Sequence, residues 1–308
     1  MGKRNATVKN HRKILTATFG VAIAISLATP ASAQFFGGGP CERADLEKVA
    51  NDYIKAQQDG KPGELPFGNE WIDYRENSQV ASMFSGGIIA KPLKIDWYRL
   101  ILDPDQCKFM AEIVVTDPAH PYVLATQANV ARGQSMGPFN TIVTDEGDWL
   151  FNAKYTLKYA KSEDWSVIPE DKRNTRQELI AAANAYLDYF SDKSVKVPWG
   201  TPCERLEGSA YTGDGSPTDS CHVGVPDGVE LTNRQYVVDP TIGAVDVFVD
   251  FGKNHRADSH LFRIENGKIR YVHTVTNCGD QDNCGFKPFA QMLKDNPKMH
   301  PELVSTTK

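Results

Sequence analysis

Several signatures that assign chemistry at a glance are missing from this chain. It has no G-x-x-x-x-G-K-[ST], no G-x-G-x-x-G and no H-E-x-x-H, so phosphate-loop, dinucleotide and zincin chemistry lack their markers. None of the six cysteines sits in a C-x-x-C pair, which argues against a zinc finger. Basic residues form no cluster beyond the first 13 positions, and a net negative surface repels phosphate backbones, so nucleic acid is excluded as a partner. No second long apolar run follows the one near the N-terminus. A multi-span membrane protein is therefore excluded.

What is present begins with a basic stretch over residues 3–13, an apolar run from Ile14 to Ala28 and the triplet Ala31-Ser32-Ala33. This is the pattern of a secretory signal peptide over residues 1–33, leaving no membrane anchor after cleavage. The leader carries five of the 34 basic residues and no acid, so the remaining chain has 29 against 39, a net charge of −10. The expected location is secreted or periplasmic, an oxidising compartment in which Cys41, Cys107, Cys203, Cys221, Cys278 and Cys284 form disulfides. Six cysteines allow 15 connectivities. If each half folds separately, Cys41 can pair only with Cys107 in the first, and the other four belong to the second half and tail.

The halves repeat each other. Asp45 onward, D-L-E-K-V-A-N-D-Y-I-K, aligns with Glu178 onward, E-L-I-A-A-A-N-A-Y-L-D. Leu65-Pro66-Phe67-Gly68 meets Val197-Pro198-Trp199-Gly200, Asp103-Pro104 meets Asp239-Pro240, and Thr141 to Thr144 meets His273 to Thr276. Four matches in one order, at offsets of 132 to 136, argue for two copies of one unit. Each copy opens on a helix, with Leu46, Val49, Ala50, Tyr53 and Leu179, Ala182, Ala183, Tyr186 at i, i+3, i+4, i+7. Strands follow, over 99–102, 109–116, 122–130 and 140–144, then over 235–238, 244–251, 259–265 and 268–276. The fold class is α+β, with helices packed on a curved antiparallel sheet. The halves span 41–168 and 174–278, with a tail over 279–308 and an internal pseudo-dimer as the expected arrangement.

This order, with the terminal hairpin F-R-I-E-N-G-K-I-R-Y-V-H, resembles the cone-shaped α+β barrels called SnoaL-like or nuclear-transport-factor-2-like. The segments Thr144 to Ala153, Val197 to Cys203 with Arg205 to Gly208, and Arg270 to Thr274 are also similar to an uncharacterised secreted family best represented in fungi. The resemblance implies two tandem cones. That superfamily includes isomerases, dehydratases and non-catalytic modules, and fold alone does not choose among them.

The hairpin carries the candidate chemistry. Asn266-Gly267 between alternating runs predicts a two-residue turn, and unbroken pairing from it sets His260 opposite His273 and Phe262 opposite Tyr271. Asp258, His260, Phe262, Ile264, Ile269, Tyr271, His273 and Val275 then share one face. Two imidazoles with a carboxylate beside them make a proton-transfer arrangement: His260 and His273 as acid and base, Asp258 as orienter, Tyr271 as hydrogen bonder. Phe262, Tyr236, Arg205, Glu207 and Trp199 are expected around the substrate. Residues 199–234, rich in Gly, Pro, Ser, Thr and Asp, read as a long lid or binding loop, which a Cys203–Cys221 bridge would hold in shape. By the repeat, Leu124, Thr126 and Thr141 stand in the first copy where Asp258, His260 and His273 stand in the second. The first copy is therefore non-catalytic. The expected activity is that of a cofactor-free lyase or isomerase acting, like a dehydratase, on a small apolar or aromatic molecule. Two other readings compete: a non-catalytic ligand-binding or interaction protein, and a metal-dependent enzyme with Asp258, His260 and His273 as ligands.

Overall fold

The computed structural model describes Gly2 and residues 41–67, 73–131, 135–287 and 289–295. The signal peptide expected over residues 1–33 lies outside them, apart from Gly2, as does the tail beyond Asp295.

The first half opens with α1 (Arg43–Asp59), followed by β1 (Tyr74–Glu76), β2 (Gln79–Val80), β3 (Trp97–Asp103), β4 (Lys108–Val115), β5 (Tyr122–Ala131) and β6 (Ser135–Thr144). A short α2 (Ala153–Ala160) leads to the second half. There α3 (Arg176–Asp188) precedes β7 (Trp199–Glu207), β8 (Ala210–Tyr211), β9 (Leu231–Asp239), β10 (Ala244–Phe251), β11 (Arg256–Glu265) and β12 (Lys268–Thr276), and α4 (Phe289–Asp295) closes the described chain. Each half is one six-stranded mixed sheet, ordered β2-β1-β6-β5-β4-β3 and β8-β7-β12-β11-β10-β9. In both, the first long-range pairing is parallel, β1 with β6 and β7 with β12, and the rest is an antiparallel meander. The two orders are the same, but neither sheet closes on itself.

Helical spacing decides which face of each sheet is covered. Leu46, Val49, Ala50 and Tyr53 of α1 bury against Phe109, Leu124 and Phe139, and Leu179, Ala183 and Tyr186 of α3 against Val247, Phe262 and Ile264. A capping box at Thr175 and Glu178 starts α3. The opposite sheet faces pack on each other, burying Ile101, Met110, Val123 and Ile142 with Val237, Phe248, Leu261 and Val275. The layers run helix, sheet, sheet, helix. Cys41–Cys107, Cys203–Cys221 and Cys278–Cys284 are bridged, which fits an oxidising compartment. Among the described residues no helix is long and apolar enough to cross a membrane.

The two halves are tied by reciprocal bonds. Arg43 of α1 reaches Asp239 with both terminal nitrogens, at 2.8 and 2.7 Å, while Arg176 of α3 reaches Asp103 at 2.6 Å. Asp239 also accepts from the backbone N–H of Leu102, and Asp103 from that of Val238. Such i-to-j, j-to-i contacts mark an interface of two-fold type. Both carboxylates are fully buried, so Asp103→Ala and Asp239→Ala should each cost about 2–3 kcal/mol by leaving a buried N–H and a guanidinium without an acceptor. Urea denaturation checks this, and a loss of only a few tenths would refute it.

Candidate functional site

The hairpin turn forms as the sequence predicts, with Glu265 opposite Lys268 and Ile264 opposite Ile269. One residue later the register slips. Arg270 bulges out of β12, so Arg263 pairs with Tyr271, Phe262 with Val272, Leu261 with His273 and His260 with Thr274. A one-residue slip sends every later side chain to the other face. The expected pairing of His260 with His273 is therefore corrected: the two imidazoles lie on opposite faces of the sheet. Asp258 and His260 keep the helix-covered face with Phe262, whereas Tyr271, His273 and Val275 turn toward the first half. The Asp258/His260/His273 metal triad fails for the same reason. The first-half position matching His273 is Asn140, while Thr141 matches Thr274.

On the helix-covered face, strand pairing builds a polar row. Residues 199–207 are not loop but the strand β7, and Glu207 pairs with Thr274, which pairs with His260. Glu207 accepts from Arg205 Nε at 2.8 Å, Thr274 at 3.2 Å and the indole of Trp149 at 3.4 Å. Asp258 Oδ1 accepts from Thr276 at 2.7 Å, and its Oδ2 lies 2.9 Å from Nδ1 of His260, off the line of a straight hydrogen bond. Arg205 is pinned by the carbonyls of Cys221 and Val223, which the Cys203–Cys221 bridge holds close.

This row forms one end of a cavity of about 190 Å³. His260, Arg205, Glu207, Thr274 and Thr276 line it, facing apolar walls that include Trp149, Phe190, Phe251, Phe286 and Met292. Burial works against a charge on His260, but Asp258 and then Glu207 outweigh it and hold the imidazole above its ordinary pKa. Burial likewise opposes the Glu207 charge, and Arg205 and His260 prevail, leaving its carboxyl below the usual range. Both shifts favour the charged forms of an imidazole and a carboxyl group within a largely apolar pocket.

Of the expected site residues, Arg205, Glu207 and His260 line the cavity, with Asp258 beside His260. The others serve packing. Phe262 meets Tyr186 edge-to-face in the core, Tyr236 donates to Asn184 at 2.8 Å, and Trp199 stacks on His222. The Tyr271 hydroxyl accepts from the N–H of Asp164 at 3.4 Å on the other face. Trp149, Thr274 and Thr276 were missed. Thr274 and Thr276 sit at alternating positions on β12, a signal legible only once the bulge is known.

His273 lies in a second cluster, between the sheets. Nδ1 is 2.7 Å from Glu112 and Nε2 is 2.6 Å from Glu163, while Arg99 donates to Glu112 at 3.0 Å and stacks on Trp165. Burial opposes its charge, but the two carboxylates push the imidazole up to about 9. It is a clamp between the halves.

The first half shows what the cavity end looks like without these ionisable groups. Thr126 stands at the His260 position, and its hydroxyl bonds both Tyr53, at 2.8 Å, and Thr141, at 2.9 Å. In the second half the matching Tyr186 hydroxyl is fully buried and makes no hydrogen bond among the described residues.

One further motif, Gly133-Gln134-Ser135-Met136-Gly137, fits G-x-S-x-G. Ser135 begins β6, paired antiparallel to β5, rather than sitting on the strand-to-helix elbow that a serine nucleophile uses. No curated protein matches the chain. Residues 172–276, about a third of the chain and the part that holds α3, the whole second sheet and His260, are similar to the family described as Domain of unknown function (DUF8021).

Proposed function

We propose that the second half is a small-molecule site running cofactor-free acid–base chemistry, of the lyase or isomerase kind, on a secreted or periplasmic protein. His260 donates the proton, Asp258 orients it and Glu207 accepts. The observation that carries this reading is the cavity itself, apolar walls closing on the His260 imidazole and the Glu207 carboxyl, whose charged forms are both favoured. The pair of histidines is replaced by one histidine and one glutamate.

Size limits the substrate. A dry cavity of about 150 Å³ accepts benzene, so one ring with a short polar substituent is the largest occupant that fits. Each half, a helix laid on one face of a mixed sheet, supports the SnoaL-like cone as the parent fold, with the halves as an internal pseudo-dimer. Neither nucleic acid nor membrane is a partner on this reading.

A non-catalytic ligand-binding protein is the second reading, favoured by the first half, which keeps the scaffold with its threonine chain closed. Native mass spectrometry and substrate screening of chain exported to an oxidising compartment test both. His260→Gln should lose a bound single-ring molecule, or its turnover, by at least about 100-fold, the scale of one lost charged hydrogen bond. Binding intact in His260→Gln and Glu207→Gln would overturn the site. Binding lost without any turnover in wild type would favour the second reading.

A further inference from the structure

A second cleft, of about 690 Å³, opens between the two sheets away from the His260 cavity. Its walls are unlike those of the first. One carries Gln127, Asn129 and Asn140 from β5 and β6, and the other Asn233 and Gln235 from β9. Gln127 pairs with Asn140 across the strands. Five amides from two sheets therefore face one space. Gln127 already donates to Asp246 and the Gln235 backbone carbonyl, Asn140 to the Gln235 side chain and Asn233 to Asp250, so part of their inventory of carbonyl acceptors and N–H donors is open to a ligand.

Two of these amides sit at irregularities. Register breaks between Ala128 and Val130, at Asn129, and between Phe248 and Asp250, opposite the stretch that holds Asn233. Asn233 also adopts φ 52°, a left-handed conformation that is uncommon inside a strand. Bulges re-aim side chains and cluster beside binding sites. Both asparagines are exposed, as is Gln235.

Charge narrows the ligand. Lys108 and Arg75 stand against Asp73, Asp250 and Asp258 in the lining, with Arg75 already paired to Asp73. Carboxylates outnumber cations, so the cleft does not favour an anion, and its lining leaves little apolar surface for a greasy ring. A volume in the roughly 300–1,000 Å³ range of organic-ligand sites, walled by amides, suits a neutral molecule carrying many hydroxyls. Amide O and N–H groups match adjacent hydroxyl groups two at a time.

We propose that this inter-sheet cleft binds a neutral oligosaccharide. The cleft shares Asp258 with the surroundings of His260, but the proposal does not rest on the chemistry of that cavity.

The test is calorimetric titration of the exported, disulfide-bonded full chain with cellohexaose, maltohexaose and chitohexaose, and with a heparin hexasaccharide as the anionic comparison. At least one neutral sugar should bind, with Kd between about 10 μM and 1 mM, the range expected of an open, polar site. Asn233→Gly keeps the left-handed backbone and Asn129→Ala spares the fold, and each should weaken binding at least about 10-fold, the loss of one good hydrogen bond, with the melting temperature unchanged. His260→Gln should leave sugar binding as in wild type. No binding of any neutral sugar, stronger binding of heparin, or binding untouched in both asparagine variants would each overturn the proposal.

Discussion

His273→Ala should lower stability by about 3–5 kcal/mol, because it leaves Glu112 and Glu163 buried with one guanidinium between them. For a chain of this size that is a fall in Tm of roughly 10 °C. The pH dependence gives a second reading of the same cluster. The folded imidazole is held at about 9 against an ordinary 6.5, so its stabilisation is complete below about pH 6.5. It fades as pH rises and is gone above about 9, a total of about 3 kcal/mol. Asp246, which burial pushes up to about 7 against the bonds from Gln127 and Ser259, acts on the acid side of that window. His260 is shifted in the same direction as His273, so wild type should be compared with His273→Gln by thermal melts between pH 7 and 9.5. A slope that survives in the variant would assign it to His260, and a flat wild-type profile would remove the clamp.

The fold was legible in the sequence where its signals are local or repeated. Heptad-like spacing marks α1 and α3, alternation marks the meander, and the repeated Asp-Pro dipeptide marks the carboxylates that lock the halves, Asp103 and Asp239. The strands β1 and β7 were not legible. They pair in parallel with a strand far along the chain; β1 is only three residues long, and the Gly, Pro and charged residues of β7 read as loop. Arg205 and Glu207 were read as candidates without the strand that aims them. The site was half visible for a single physical reason: alternation gives the face of each residue only while the register is unbroken. His260 and Asp258 precede the turn and were placed on the correct face, but His273 and Tyr271 lie past the bulge. Arg99, Glu112 and Glu163, which explain His273, are 110 to 174 residues away from it, and no local pattern links them.

Arg270 is where that ambiguity is resolved, because it is the extra residue of the bulge. Deleting it brings Tyr271 directly after Ile269 and leaves Arg263 opposite Tyr271, Phe262 opposite Val272, Leu261 opposite His273 and His260 opposite Thr274 in an unbroken ladder, so every side chain from Tyr271 to Thr276 keeps its face. Val272 stays in the core under α3, His273 stays between Glu112 and Glu163, and Thr274 and Thr276 still donate to Glu207 and Asp258. The deletion variant should therefore fold, at a cost of about 1–3 kcal/mol. Arg270→Ala keeps the bulge and loses the ion pair with Glu204 and the stacking over Tyr271. It should cost only about 1–2 kcal/mol and leave the His260 pocket intact. Circular dichroism and disulfide mapping of the two exported variants separate the outcomes. An unfolded deletion variant would mean that the bulge itself, and not the pairing beyond it, holds β12 in place, and an unfolded Arg270→Ala would mean that the Glu204 pair holds the register.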